Sequence, residues 1–72
     1  MPKAKILNRI RQLRFEQGEM TQQELADRIG CTRQTIIMLE QGRYVPSLAL
    51  ALKIAKTFST TVDTIFTLDD TG

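Results

Sequence analysis

The sequence has no histidine, no tryptophan and a single cysteine, Cys31. Without histidine, one thiol cannot assemble a Cys/His zinc site. One cysteine also excludes an intrachain disulfide, and a chain without disulfides suits a reducing, cytoplasmic setting. The same scarcity removes the usual nucleophile–base pairs, and the carboxylates show no converging pattern, so an enzyme is not expected. No apolar run is long enough to span a membrane. The opening MPKAKILNRIR is basic, but it has no sustained apolar segment and no small-residue cleavage site, so it is not read as a signal peptide. There are no repeats, low-complexity runs or linkers; two prolines and four glycines stand singly as punctuation. No cofactor, metal or small-molecule ligand is expected.

What is present fits one small domain of 72 residues. A domain of this size buries only about 60% of its unfolded surface. With disulfides and metals excluded, dimerisation is the remaining way to add stability. The net charge is only +2, but it is unevenly spread. Residues 1–17 hold five basic residues against Glu16, a net +4, and the remainder holds five basic against seven acidic, a net −2. A basic first segment suits an anionic partner, and a solvated surface helix explains it about as well.

Helical periodicity divides the chain into five short helices. The first is expected from about residue 7 to residue 17, on a stripe of Ile6, Leu7, Ile10 and Leu13, with Gly18 ending it in the left-handed region. Residues 3–7, KAKIL, can instead be extended. The second opens on Thr21-Gln22-Gln23-Glu24, a capping box, with Met20 placed to staple against Leu25. Its buried stripe is Leu25, Ala26 and Ile29, and Gly30 stops it. Cys31 alone separates Gly30 from Thr32, the cap of the third helix. So short a join forces a steep crossing between the two helices.

The fourth helix, LALALKIAKT, is capped by Ser47 and is apolar almost all round, which predicts a helix buried on most sides. Phe58 extends that apolar surface. A last short helix opens near Thr60, the expected cap, with Asp63 at the box position. Val62, Ile65 and Phe66 are more apolar groups than so short a helix can use, which points to the core or a second subunit. The tail, TLDDTG, is read as a short strand or as disordered.

The third helix has two faces. At 100° per residue, Thr32, Thr35, Ile36 and Leu39 fall within an arc of roughly 100°. Arg33, Gln34, Ile37, Met38 and Gln41 fill an arc of roughly 140° on the other side. The first arc meets the needs of a core; the second presents polar side chains outward.

These features together resemble the Cro/lambda-repressor, or Xre, helix-turn-helix family. The likeness covers roughly residues 10–66, and the helix-turn-helix itself spans residues 22–41. Counted from Gln22, Ala26 is at the fifth position, Gly30 at the ninth and Ile36 at the fifteenth, as in that family. Leu25, Ile29, Cys31 and Leu39 match its apolar positions, and the TQQELA, TRQTI and LEQGRYVPSL segments look like its small repressors.

The resemblance implies an all-α, compact five-helix lambda-repressor-like domain, with a short terminal β-ribbon left open. It implies a sequence-specific regulator that binds double-stranded DNA as a homodimer on a pseudo-palindromic operator, most simply as a repressor. An interaction module or antitoxin-like partner protein on the same fold is the alternative.

Under that resemblance, Thr32, Arg33 and Gln34 stand where recognition helices meet base edges. Gln34 can bond adenine bidentately, and Arg33 suits guanine or a phosphate equally. Ile37 and Met38 lie one turn further on, where the family is mostly polar. They suit thymine methyls, with a protein-binding patch as the alternative. Gln22 suits a phosphate, and Gln41, Arg43 and Tyr44 can clamp the far side of the groove. Tyr44 is equally readable as a packed aromatic.

Arg14 and Glu40 match a scaffold pair of the family. Arg9 and Arg11 are read as solvated surface in preference to phosphate contacts. Cys31 is read as a structural thiol, because a lone buried cysteine behaves as a small hydrophobe. Val62, Ile65, Phe66 and Leu68 are the candidate dimer surface, and KAKIL with FTLDD can form a terminal ribbon between subunits.

Overall fold

The computed structural model describes residues 5–69. The order along the chain is β1 (Lys5–Asn8), α1 (Ile10–Glu16), α2 (Gln22–Ile29), α3 (Arg33–Glu40), α4 (Leu48–Thr57), α5 (Val62–Ile65) and β2 (Phe66–Asp69). Each of the five helices supplies at least one side chain to the centre. Ile10, Leu25, Ile36, Leu39, Ile54 and Ile65 are all but completely buried there. Met20, Ala26, Ile29, Ala55 and Phe58 complete the same cluster, and Leu13, Cys31, Leu50, Val62 and Phe66 pack at its margin. No helix among the described residues is long and apolar enough to cross a membrane.

The first helix begins three residues later than its apolar stripe predicts. Residues 5–8 form β1 instead, paired antiparallel with β2 in the register Lys5↔Asp69, Ile6↔Leu68, Leu7↔Thr67 and Asn8↔Phe66. The apolar spacing of Ile6 and Leu7 fits a helix equally well. A partner strand at the far end of the chain decides the matter, because it supplies backbone hydrogen bonds that a local pattern cannot foresee. The terminal ribbon thus forms within one chain. Lys3 and Ala4 of the KAKIL segment, and residues 70–72 of the tail, lie outside the described residues.

Asn8 makes the turn from β1 into α1. Its Oδ1 accepts from the backbone N–H of Ile10 at 3.2 Å, and its Nδ2 donates to the Leu39 carbonyl at 2.7 Å. One side chain therefore satisfies an orphan donor at the start of α1 and adds a second bond to the Leu39 carbonyl at the end of α3, which also accepts from the Gly42 N–H at 3.0 Å. The Arg9 N–H donates to the Ile65 carbonyl at 3.0 Å, which ties the same corner to α5.

The helix-turn-helix forms as its local chemistry dictates. Thr21 and Glu24 make a reciprocal capping box, with Thr21 Oγ1 accepting from Glu24 N–H at 3.0 Å and Glu24 Oε1 accepting from Thr21 N–H at 3.1 Å. Gly30 closes α2 at φ 76°, a left-handed conformation that only glycine adopts cheaply. Its N–H and that of Cys31 both donate to the Ala26 carbonyl. Thr32 then caps α3 by accepting from the Thr35 N–H at 3.2 Å. Ala26 is fully buried in the core, where extra side-chain volume would have to displace its neighbours.

Three expectations change. The fourth helix is not buried on most sides: only Ala51, Ile54 and Ala55 are covered, while Leu48 is 72% and Leu52 54% exposed. The last helix is preceded by Thr61 rather than Thr60, and no side chain caps its N–H groups. Ile65 is completely buried inside the protomer. It therefore fills this chain's own core and cannot serve as a contact to a second subunit. Val62 and Phe66 are half-buried against the same core, and of the four expected dimer residues only Leu68 stands well out of it.

Candidate nucleic-acid interface

The seat of α3 is set from below by a buried ion pair. Arg14 on α1 donates from Nε to Glu40 Oε2 at 2.6 Å and from Nη2 to Glu40 Oε1 at 3.1 Å. Its third nitrogen, Nη1, donates to the Met20 carbonyl at 2.7 Å. Both side chains are 10% exposed, so the charges are largely out of water. Such a pair gives little net stability, but removing one member leaves an uncompensated charge. The fork geometry holds the C-terminal end of α3 against α1 and against the turn before α2. The Arg14–Glu40 bridge that the family resemblance implies is therefore present.

Gln22 joins this network. Its Nε2 donates to Glu40 Oε1 at 3.2 Å, across from the two bonds of Arg14. The first residue of α2 is thereby connected to the last residue of α3. The sequence places Gln22 at the start of α2 with a free amide. In the structure one amide hydrogen is engaged, and the other hydrogen and the amide oxygen are left for a ligand.

Gln22 stands between two neighbouring hollows. One, of about 610 Å³, lies between the end of α1, the Thr21–Gln22–Gln23 turn of α2 and Arg33. The other, of about 410 Å³, is walled by α1 on one side and by Ile37 and Gln41 on the other. Gln22 and Arg33 thus border the first hollow, and Gln22, Ile37 and Gln41 the second, with Gln22 common to both. Gln34 is exposed on the first turn of α3, beside Arg33. Arg43 and Tyr44 follow on the loop after α3 and are also exposed; neither lines these hollows.

Two members of the outward arc of α3 are less open than their helical phase predicts. Ile37 and Met38 are half-buried, while Arg33, Gln34 and Gln41 are exposed. Helical phase describes an isolated cylinder. Here Ile37 lines a hollow shared with Arg11, Arg14 and Phe15 of α1, so its neighbourhood is not that of an isolated helix. The hydroxyl of Thr32 is occupied in capping and lies 3.0 Å from the Thr35 hydroxyl, so its first task is to hold the start of α3.

Sequence reasoning overlooks two residues here. Asn8 carries the usual cap-residue signal, but it is masked by the apolar periodicity around it. Phe15 is 53% exposed, with the guanidinium carbons of Arg11 and Arg14 at 5.7 and 5.9 Å from its ring centroid. The Arg11–Phe15 spacing of four residues is the signal that would have found it.

Cys31 is half-buried at the margin of the core. Burial raises its thiol above the ordinary range, and the nearby Lys53 charge offsets part of that shift. A thiol held protonated is a poor nucleophile, in keeping with a packing role.

Comparison with known proteins gives a consistent result. Residues 10–65 match the family profile described as helix-turn-helix. The chain is similar to an uncharacterised HTH-type transcriptional regulator of Archaeoglobus fulgidus, 50% identical over 62 residues, covering 86% of this chain and 87% of that one. A protein described in the same words from Methanothermobacter thermautotrophicus is 55% identical over 64 residues, covering 88% and 91%. The Bacillus subtilis regulator YgzD is 44% identical over 63 residues, covering 88% and 94%. A crystal structure from Bacteroides fragilis, described as a candidate DNA-binding protein, superposes with a TM-score of 0.75 at 26% identity over 86% of this chain and 98% of that one.

Proposed function

Because this chain belongs to the helix-turn-helix family of transcriptional regulators, we propose that it binds a pseudo-palindromic operator as a homodimer and represses transcription there. The observation that carries this reading is the pair of hollows that meet at Gln22, one bordered by Arg33 and the other by Ile37 and Gln41, with Gln34 exposed next to Arg33. In the proposed complex the N-terminal half of α3 enters the major groove. Gln34 reads an adenine, while Arg33 meets a guanine or a neighbouring phosphate. Thr32 flanks them. Ile37 and Met38, half-shielded, offer apolar edges suited to thymine methyls. Gln22 holds a backbone phosphate with the remaining capacity of its amide and with the N-terminal N–H groups of α2. Gln41, Arg43 and Tyr44 form the opposite clamp.

A protomer has one recognition helix, so two successive major grooves, about 34 Å apart, require a second copy. The supporting surface is largely apolar, with Lys5 and Gln41 also lining it. Leu7 of β1, Leu68 of β2 and Val45 of the loop after α3 are all more than half exposed. They border a cleft of about 490 Å³ together with Ile6. Pairing two copies across this cleft covers side chains that have no other cover among the described residues. Of the residues expected at this interface, Leu68 stays central, Val62 and Phe66 pack against the protomer's own core, and Ile65 drops out.

The test is binding of the full chain to random and to selected DNA at two salt concentrations. A steep fall in affinity with salt is expected, and absence of any binding at low salt sinks the reading. On the selected site Gln34→Ala is expected to weaken binding by roughly 1–3 kcal/mol and relax one base preference. An equal loss on random DNA would show that Gln34 positions the protein without reading sequence. Sedimentation at tens of micromolar, with and without DNA, tests the dimer, and a monomer under both conditions refutes it.

A further inference from the structure

We propose that Arg11, propped by the ring of Phe15, is a further DNA phosphate contact, which makes α1 one wall of the DNA-facing surface. The proposal rests on the DNA-binding reading above and extends its footprint to a helix that charge counting alone treats as solvated.

Three observations carry it. First, Arg11 lines the same hollow as Gln22, Ile37 and Gln41, so it stands beside residues that would meet DNA. Second, its charge is uncompensated. The other arginine on that hollow, Arg14, is neutralised by Glu40 and buried. Glu16, the one acid on α1, is engaged by Gln12, whose Nε2 donates to Glu16 Oε2 at 3.1 Å, and Gln12 in turn accepts from Arg9 Nε at 3.2 Å. Among the described residues no carboxylate pairs with Arg11. Third, Phe15 is an exposed aromatic with no core to fill, and its ring lies 5.7 Å from the Arg11 guanidinium carbon, one turn along the helix. Stacking on a ring face restricts a long side chain and leaves the edge of its planar fork free. A free guanidinium edge suits the bidentate geometry of two phosphate oxygens.

Arg11→Ala, Arg11→Lys, Phe15→Leu and, as a control, Lys56→Ala on α4 remove or alter one exposed group each. Thermal melting checks that each variant folds. The readout is the slope of log affinity against log salt, on both random and selected DNA. Loss of one phosphate contact lowers the slope by about 0.9 per protomer, and Arg11→Ala is expected to do so equally on both DNAs. Lys56→Ala, which lowers net charge identically from another part of the surface, is expected to leave the slope unchanged.

Arg11→Lys is expected to keep the slope and bind more weakly than wild type, and Phe15→Leu to bind about two- to five-fold more weakly. An unchanged slope in Arg11→Ala, or an equal fall in Lys56→Ala, overturns the contact. Wild-type affinity in both Arg11→Lys and Phe15→Leu overturns the stacked arrangement. If the wild-type chain binds no DNA, the broader reading fails and this one with it. That result is distinct from normal wild-type binding with an unchanged Arg11→Ala.

Discussion

Helices α3 and α4 are nearly equal in length and each buries one stripe, yet their outward faces are opposite in kind. Helix α3 turns Arg33, Gln34 and Gln41 to solvent and keeps Ile37 and Met38 half-covered. Helix α4 turns out Leu48 and Leu52, and Val45 just ahead of it is 66% exposed. The inner faces do the same job, since Ile36 and Leu39 on one helix and Ala51, Ile54 and Ala55 on the other pack into one core. The lesson is that an apolar composition states what a helix tolerates, whereas its neighbours state what it buries. The polar face of α3 requires no cover and is free for recognition; the apolar face of α4 is costly to leave wet if it is contiguous and harmless if its side chains are scattered.

The comparison can be broken most severely at the seat of α3. Arg14→Ala strands Glu40 in a nearly dry site, and a loss of about 3–5 kcal/mol is expected in urea unfolding. Replacing both partners together, Arg14→Met with Glu40→Leu, should recover most of that loss, because no unpaired charge remains. If the double variant is as unstable as the single, the pair does more than satisfy itself and α3 depends on it for its position.

A finer contrast lies between the inner face of α3 and the outer face of α4. Ile36→Ala should lower stability by about 2–5 kcal/mol, since it opens a cavity in the centre of the cluster. Leu48→Ala should change it by no more than about 0.5 kcal/mol in a dilute monomeric sample. A loss at Leu48 that grows with protein concentration would instead place that face in a contact between copies.

The smallest effect concerns the hinge between the two helices. The Cys31 thiol is raised above its ordinary range in the folded chain. The unfolded chain therefore loses the thiol proton first. The contribution of this group to stability is complete below the ordinary thiol range and is lost as pH rises through the folded value. Cys31→Ala should flatten that alkaline decline in a melting series, while Cys31→Ser should flatten it and lower stability throughout, by placing a hydroxyl at the margin of the core.

Several elements are legible because their signals are local. The Thr21–Glu24 box, the Gly30 turn and the Thr32 and Ser47 caps depend on residues within four positions of one another, and each forms as read. The Arg14–Glu40 bridge is not local. The family resemblance implies it, whereas the residues alone do not. Asn8 escaped for the opposite reason: its two hydrogen bonds reach α1 and α3 together, and no periodicity encodes a contact 31 residues away.

By itself, then, the sequence determined the number of helices, the tight turn at Gly30 and the polar face of α3, because capping, backbone conformation and helical phase act over a few residues. Only the tertiary structure decided that residues 5–8 form a strand, that Ile65 faces inward, that Ile37 is half-covered and that α4 leaves two leucines in water. Each of those outcomes depends on which distant segment arrives alongside, and a partner brought in by packing is absent from any local pattern.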